Sequence, residues 1–233
     1  MSSACLLLAG IALAAPMAAQ VSSSRNSGPQ KMQLRVERRE GNAWRTVDPA
    51  LIFANDDRLR FRFQTNFDGY LYVLNKGTSG EFTLLFPTKE SGERNRIVAG
   101  REYVVPATDG SFRVTGPAGQ DVIYWMITPL ELGPGGGKSG YVPLPPPPKH
   151  GTALSTLTPR CDDVVLRARG ECIDSTAGVR SLGAEESLPE NLKSVPGLRS
   201  RELVFIREKE TAVVSSPVPM EGPVVYEYRL AHK

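Results

Sequence analysis

The chain has 233 residues, of which 40% are hydrophobic and 23% are charged, as in an ordinary globular protein. This length fits one sandwich-sized domain with appendages better than two full domains. The formal net charge of +3 is small and the basic residues are spread along the chain, so the composition argues against a nucleic-acid-binding protein.

The beginning of the chain has the character of an export signal. Residues 4–19 carry no charge and are rich in Leu and Ala, which is typical of the hydrophobic region of a signal peptide. Pro16 interrupts this run, and a membrane anchor needs about 20 apolar residues. We therefore predict a signal peptide at 1–19, a flexible leader at 20–30, and a periplasmic or secreted protein without a stable membrane span.

The first strands are predicted to form a hairpin. Residues 32–36 alternate between apolar and polar side chains, a period of two that indicates a strand. Gly41 and Asn42 then turn the chain into a second strand at 44–47. Trp44 has two interpretations, a platform on which a carbohydrate stacks or a lid on the core. We expect the lid, because a Trp on a short strand more often covers the core.

Residues 57–87 read as three antiparallel strands around which the rest of the chain is organised. In the first strand, apolar residues alternate with basic ones, so that its polar face carries Arg58, Arg60 and Arg62. The second strand, 70–74, is apolar on both faces. The third, 82–86, ends at Pro87, which has no N–H to donate.

This stretch also carries a family resemblance. The Asp56-Asp57-Arg58 opening, the segment 68–74 (DGYLYVL) and the segment 84–87 (LLFP) resemble the bacterial family known as domain of unknown function 4384. The likeness covers roughly residues 48–126, and the closing segment 226–231 resembles the ending of a secreted, single-domain subgroup of that family. The resemblance implies a β-sandwich-like domain, and it implies no catalytic residues because none are established for the family.

Further strands are predicted at 101–105, 112–114, 121–128, 202–207 and 224–230. Between them, residues 133–150 are rich in Gly and Pro and include four consecutive prolines, which favours an exposed connector with polyproline II character. The fold class is therefore all-β: an antiparallel β-sandwich of about eight to ten strands with a long Gly/Pro-rich loop and at most short helices. We predict one domain over 31–233, with an irregular insertion at about 133–200.

The insertion holds two cysteines, Cys161 and Cys172. The remaining one, Cys5, would leave with the signal peptide, so the exported chain has an even count and we predict a disulfide. A redox-active pair is the alternative, but such pairs usually sit closer together at a helix N-terminus. The residues between the cysteines predict one or two helical turns capped by Asp162 or Asp163.

Residue types suited to catalysis or metal binding are scarce. The two histidines, His150 and His232, lie in segments that we do not expect to be held rigidly, so a Ser-His or Cys-His arrangement is not indicated. Zinc needs four ligands in close groups, which the two cysteines do not provide. Asn55-Asp56-Asp57 reads as a turn rather than a calcium site. We predict no enzyme activity, no metal and no cofactor.

The sequence is compatible with two functions. The first is a non-catalytic exported module that binds an envelope protein or a surface polymer. The second is a small secreted hydrolase with paired carboxylates, whose separation is a tertiary property that sequence does not give. For the first function the candidate contact row is Arg58, Arg60 and Arg62, because guanidiniums grip acidic groups. A solvated strand face that prevents aggregation explains the same row.

Overall fold

The computed structural model describes residues 30–132, 158–180, 188–193, 195, 199–200, 204–208, 211–216 and 223–233. The predicted signal peptide, the leader up to residue 29 and the Gly/Pro-rich stretch 133–150 lie outside the described residues. In chain order the elements are β1 (Gln30–Glu40), β2 (Ala43–Val47), β3 (Arg58–Thr65), β4 (Gly69–Lys76), β5 (Phe82–Phe86), β6 (Arg96–Ile97), β7 (Glu102–Val105), β8 (Phe112–Arg113), β9 (Gly119–Thr128), α1 (Val164–Ala168), β10 (Gly178–Arg180), α2 (Glu190–Lys193), β11 (Arg199–Ser200), β12 (Val204–Glu208), β13 (Thr211–Ser216) and β14 (Val224–His232).

The strands form two sheets, which confirms the predicted all-β sandwich. The first sheet has the order β12-β13-β1-β3-β7, with β2 beside β1 and β8 beside β3. One edge of β1 pairs with β3. The other edge pairs with β13 along its first half and with β2 along its second half. Every described pair in this sheet is antiparallel.

The second sheet has the order β10-β14-β9-β4-β5, with β11 beside β14 and β6 beside β4. Its centre is the β9–β14 pair, which runs in register from Val224 opposite Ile127 to His232 opposite Gly119. The last described strand of the chain thus lies directly beside β9, the strand that precedes the predicted insertion. The pairing of β11 with β14 is parallel, and the other described pairs are antiparallel.

The core lies between the two sheets and is rich in aromatic rings. Phe61 of β3 is 1% exposed and packs edge-on against Trp125 and Tyr228 of the second sheet, with ring centroids 5.3 and 5.8 Å apart. Phe63 lies 5.6 Å from the Trp125 ring. The alternation predicted for β3 therefore places its apolar side chains between the sheets and its arginines outside.

The second sheet is buried on its outer face as well. Tyr72, Tyr124 and Met126 on that face pack with three residues of the α2 segment, namely Leu188, Leu192 and Val195. A strand that contacts apolar groups on both sides must be apolar at consecutive positions. This explains why β4 and β9 read as continuous apolar runs, whereas β3 alternates.

Candidate functional site

The predicted arginine row lies on the outer face of the first sheet, where carboxylates from neighbouring strands meet it. Arg60 and Arg62 both donate to Glu37 of β1, and Arg62 also donates to Glu102 of β7 at 2.8 Å. Arg35 extends the network with a 3.0 Å contact to the same Glu102. The hydrogen bond to Glu102 is the main reason why the pKa of Arg62 is raised above its ordinary value.

This network occupies most of the arginine row. Two of the three arginines already have carboxylate partners, and Arg58 stands apart, with its Nη1 3.4 Å from Ser111 Oγ. Glu37 is held between two guanidiniums with its side chain only 9% exposed. The face is therefore a ladder of ion pairs that joins β1, β3 and β7, and its cations are largely neutralised.

Trp44 lies on this same outer face, so the expectation that it covers the core is wrong. In the β1–β2 register, Trp44 is opposite Arg39, whereas Val47 is opposite the buried Val36. The side chain is half-buried, and the guanidinium of Arg60 lies 4.4 Å from the centroid of its ring. The ion-pair ladder thus fixes an indole at the surface.

An open depression surrounds Trp44. It is lined by Glu40, Ala43, Trp44, Arg45 and Thr46. The Arg45 side chain is 73% exposed, and its Nε lies 3.3 Å from a Glu40 oxygen. In the β1–β2 register Trp44 and Thr46 share the outer face, whereas Arg45, opposite Arg38, and Glu40, opposite Ala43, belong to the other face of the hairpin.

The segment 161–172, hereafter the disulfide loop, is closed by the predicted Cys161–Cys172 disulfide. Its end is fastened to the sandwich because the Cys172 carbonyl accepts the N–H of Ile52 at 2.8 Å. Within the loop, the carboxylate of Asp163 caps α1 by accepting the N–H groups of Val165 and Leu166 at 2.8 and 2.9 Å. The predicted short helix and cap are confirmed.

The disulfide loop also reaches the hairpin that carries Trp44. One guanidinium nitrogen of Arg38 lies 2.8 Å from Glu40 and 3.0 Å from Glu171. Glu40 borders the depression and Glu171 belongs to the disulfide loop. Arg38, whose side chain is 18% exposed, therefore joins the two regions through a pair of ionic hydrogen bonds.

His232 is held rigidly, contrary to the expectation for this segment. It is the last residue of β14 and is 1% exposed, with Nε2 3.1 Å from Thr78 Oγ1 and 3.3 Å from Asp121 Oδ1. Thr78 also donates its backbone N–H to Asp121 at 2.7 Å. Burial raises the pKa of Asp121, but hydrogen bonds from His232 and Thr78 outweigh that effect and hold the pKa below its usual value.

A hydroxyl, an imidazole and a carboxylate are the groups of a nucleophilic triad, yet their arrangement differs from one. In a triad the hydroxyl and the carboxylate contact opposite nitrogens of the imidazole. In this cluster both contact Nε2, and Thr78 is itself only 5% exposed. The contacts join the β4–β5 turn, β9 and β14, which is a structural arrangement.

The remaining candidate metal-binding and catalytic residues do not form a site in the described part of the chain. Asn55 and Asp56 form a turn in which Ala54 donates to the Asp57 carboxylate at 2.9 Å. His150 lies outside the described residues. The described ranges contain no group of three or more His, Cys, Asp or Glu that could hold a metal ion. In the same ranges, no helix has the length and apolar character needed to cross a membrane.

The middle of the chain matches a known protein family. Residues 52–130 match the model of the family described as "Domain of unknown function (DUF4384)". This part of the chain belongs to the DUF4384 family. No curated protein and no solved structure gives a significant match.

The DUF4384 segment supplies β3 to β9 and hence strands of both sheets. It contains the arginine row, Thr78 and Asp121. Trp44, the disulfide loop and His232 lie outside it, so the depression and the loop are built by segments that flank the DUF4384 match. The burial of His232 was not predicted, although the alternation of side chains along β14 indicates it. His232 continues the inward-facing series Val224, Tyr226, Tyr228 and Leu230.

Within the DUF4384 segment, we predict that Gly119→Ala lowers the free energy of unfolding by about 1–3 kcal/mol, as overpacking does. An added Cβ would overlap Thr78 Cγ2, and hydrogen bonds to Asp121 and His232 keep Thr78 in place. Thr78→Ser deletes that methyl group and keeps the hydroxyl, so it should restore most of the loss. Urea unfolding of the single and double variants measures both effects.

Gly77→Ala is the control, because its added Cβ would meet its neighbours at an ordinary 3.8 Å. A Gly119→Ala variant that Thr78→Ser does not rescue would contradict the assigned contact.

Proposed function

We propose that this protein is a non-catalytic exported module, periplasmic or secreted, that binds a surface polymer of the cell envelope through the depression around Trp44. The observation that carries the proposal is the placement of the Trp44 ring on the outer face, in a depression that Thr46 of the same face also lines and against the guanidinium of Arg60. An aromatic ring gives a sugar ring a flat apolar surface, and a few polar groups around it fix the orientation of the ligand.

The ion-pair ladder supports this assignment by holding the platform in place. Arg60 contacts the Trp44 ring and is itself fixed by Glu37, which also binds Arg62. A side chain that is already immobilised loses less conformational freedom when a ligand binds. The arginine row is thus assigned to support the platform rather than to contact an acidic partner.

The hydrolase alternative receives no support from three depressions that described residues line. The depression around Trp44 contains one carboxylate, Glu40. A second cavity, of about 110 Å³ between the sheets, also contains one, Asp121. A third, lined by Lys31, Gln33 and neighbouring residues, contains none. Glycoside hydrolysis by the usual route uses two carboxylates that flank the scissile bond.

We expect Trp44→Ala to weaken binding to isolated envelope polysaccharide or peptidoglycan by about 30-fold, since truncation of a central aromatic contact costs about 2 kcal/mol. Trp44→Phe should retain most of the affinity because it keeps a stacking ring. Binding isotherms with each purified polymer measure the effect. Lys31→Ala, at another depression of the same sheet, is the matched control and should bind as the wild type does.

Loss of fold must be separated from loss of contact. The Arg60–Trp44 contact stabilises the protein by about 0.5–1 kcal/mol, so the Trp44→Ala variant should remain folded in an unfolding titration. The proposal fails if the wild type binds neither polymer, or if Trp44→Ala and the wild type give the same isotherm.

A further inference from the structure

The disulfide loop presents two apolar side chains to solvent. Val164 is 72% exposed and Val165 is 61% exposed, and no residue of α1 is buried. A helix of five residues is too short to be stable on its own, and this one has no fully buried side chain, only a half-buried Leu166. The disulfide and the Asp163 cap hold it instead. Single exposed apolar residues are common, but here an adjacent pair stands on a covalently closed turn.

The charged groups of the loop are three carboxylates and two arginines, and within the described part of the chain Arg169 alone has no side-chain partner. Asp162 accepts from the backbone and the hydroxyl of Ser175 at 2.9 and 2.7 Å, Asp163 caps the helix, and Glu171 pairs with Arg38. Arg167 donates to the Cys161 carbonyl. The Arg169 guanidinium is exposed and makes no hydrogen bond or ion pair within the described part of the chain.

Arg169 and Val165 lie on the same side of α1. They are four residues apart, and the N–H of Arg169 lies 3.3 Å from the carbonyl oxygen of Val165. Side chains at this spacing are neighbours on a helix surface. The groups left for a partner are therefore two valines and one adjacent cation, and the complementary surface is an apolar pocket with a carboxylate at its rim.

We propose that α1 is a protein-docking element, and that Val164 and Val165 enter an apolar pocket of an envelope protein while Arg169 pairs with a carboxylate beside that pocket. This proposal does not rest on polymer binding at Trp44. A protein fits better than an anionic membrane, because the three arginines at 160, 167 and 169 are matched by three carboxylates at 162, 163 and 171. Recognition of anionic lipids uses clusters of about four to eight Lys or Arg.

The test places a photo-crosslinking amino acid at position 165 of the full-length chain, expressed in its native envelope. Val98, which is 42% exposed and lies far from the loop in sequence, is the matched control position. We expect adducts from position 165 and not from 98 to join one envelope protein at a peptide whose surface combines apolar residues with Asp or Glu.

The identified protein is then purified, and its affinity for the full-length chain is measured. Val165→Ser and Arg169→Glu should each weaken binding at least tenfold, and exchanging the partner's rim carboxylate for Lys should restore binding to the Arg169→Glu variant. Neither residue is buried, so unfolding midpoints should match that of the wild type. Trp44→Ala should leave this affinity unchanged, which separates failure of this proposal from failure of polymer binding.

Three results would overturn the proposal. Adducts with phospholipid alone would assign the valines to a membrane surface. Equal adducts from positions 98 and 165, or no adducts from 165 with a probe shown to be reactive, would remove the specific contact. Unchanged affinity in the Val165→Ser and Arg169→Glu variants would show that α1 is not where the partner binds.

Discussion

Replacing Phe61 by alanine is expected to lower the free energy of unfolding by about 3–5 kcal/mol, the range for truncating a buried aromatic side chain. The ring is 1% exposed and lies within 5.9 Å, between centroids, of the rings of Trp125, Tyr228 and Phe112. Its removal deletes contacts to both sheets at the centre of the sandwich. The packed neighbours relax only partly, so a cavity remains and adds to the loss.

Equilibrium denaturation with urea, followed by tryptophan fluorescence and by circular dichroism, measures this loss. Phe61→Leu is the conservative control and should cost much less because it leaves a smaller cavity. Phe112→Ala removes a half-buried ring at the border of the same group and should also cost less. Equal losses for Phe61→Ala and Phe112→Ala would contradict the assignment of Phe61 to the centre of the core.

Removing the disulfide with the double substitution Cys161→Ser and Cys172→Ser is expected to lower the free energy of unfolding by about 3 kcal/mol on the chain-entropy model. The sequence separation of the two cysteines is 11, so the closed loop is short and the entropic gain lies at the lower end of the range. The loop packs few apolar groups, since α1 has no buried residue. Burial therefore contributes little that could replace the covalent closure.

Chemical denaturation of the double Ser variant and of the oxidised wild type gives the difference. Hydrogen exchange adds a local readout, because the N–H of Ile52 is bonded to the Cys172 carbonyl and should exchange faster in the variant. Wild-type protein treated with reductant should behave as the variant does. Alkylation of both cysteines in exported protein that was never reduced would show that the bond does not form.

The alternation of apolar and polar residues was sufficient to predict most of the sandwich. In β3 and β14, the alternation of apolar and polar residues predicts which side chains face the core. In β4 and β9, the continuous apolar runs indicate that both faces of the strand are buried. The prediction missed β13, whose sequence TAVVSS includes Ser and Thr and has little alternation. Its strand character comes from pairing with β1 on one side and β12 on the other, which is a tertiary property.

The candidate site was less predictable because it depends on register. Arg60 was named from the sequence, but its partners Glu37 and Trp44 come from other strands, and a shift of one residue would have moved them to the opposite face. Parity with Val47 contained the information that Trp44 faces outward. The general preference of Trp for the core therefore does not hold at this position, because the register turns Trp44 outward.

Arg38 links the two proposed surfaces of the molecule. It shares its guanidinium between Glu40, which borders the depression, and Glu171 of the disulfide loop. A ligand that draws the Glu40 carboxylate away from Arg38 leaves that cation to Glu171 and so changes how the loop is held. Thermodynamic linkage makes such coupling reciprocal: any factor by which a bound polymer alters the affinity for a protein partner equals the factor by which that partner alters the affinity for the polymer.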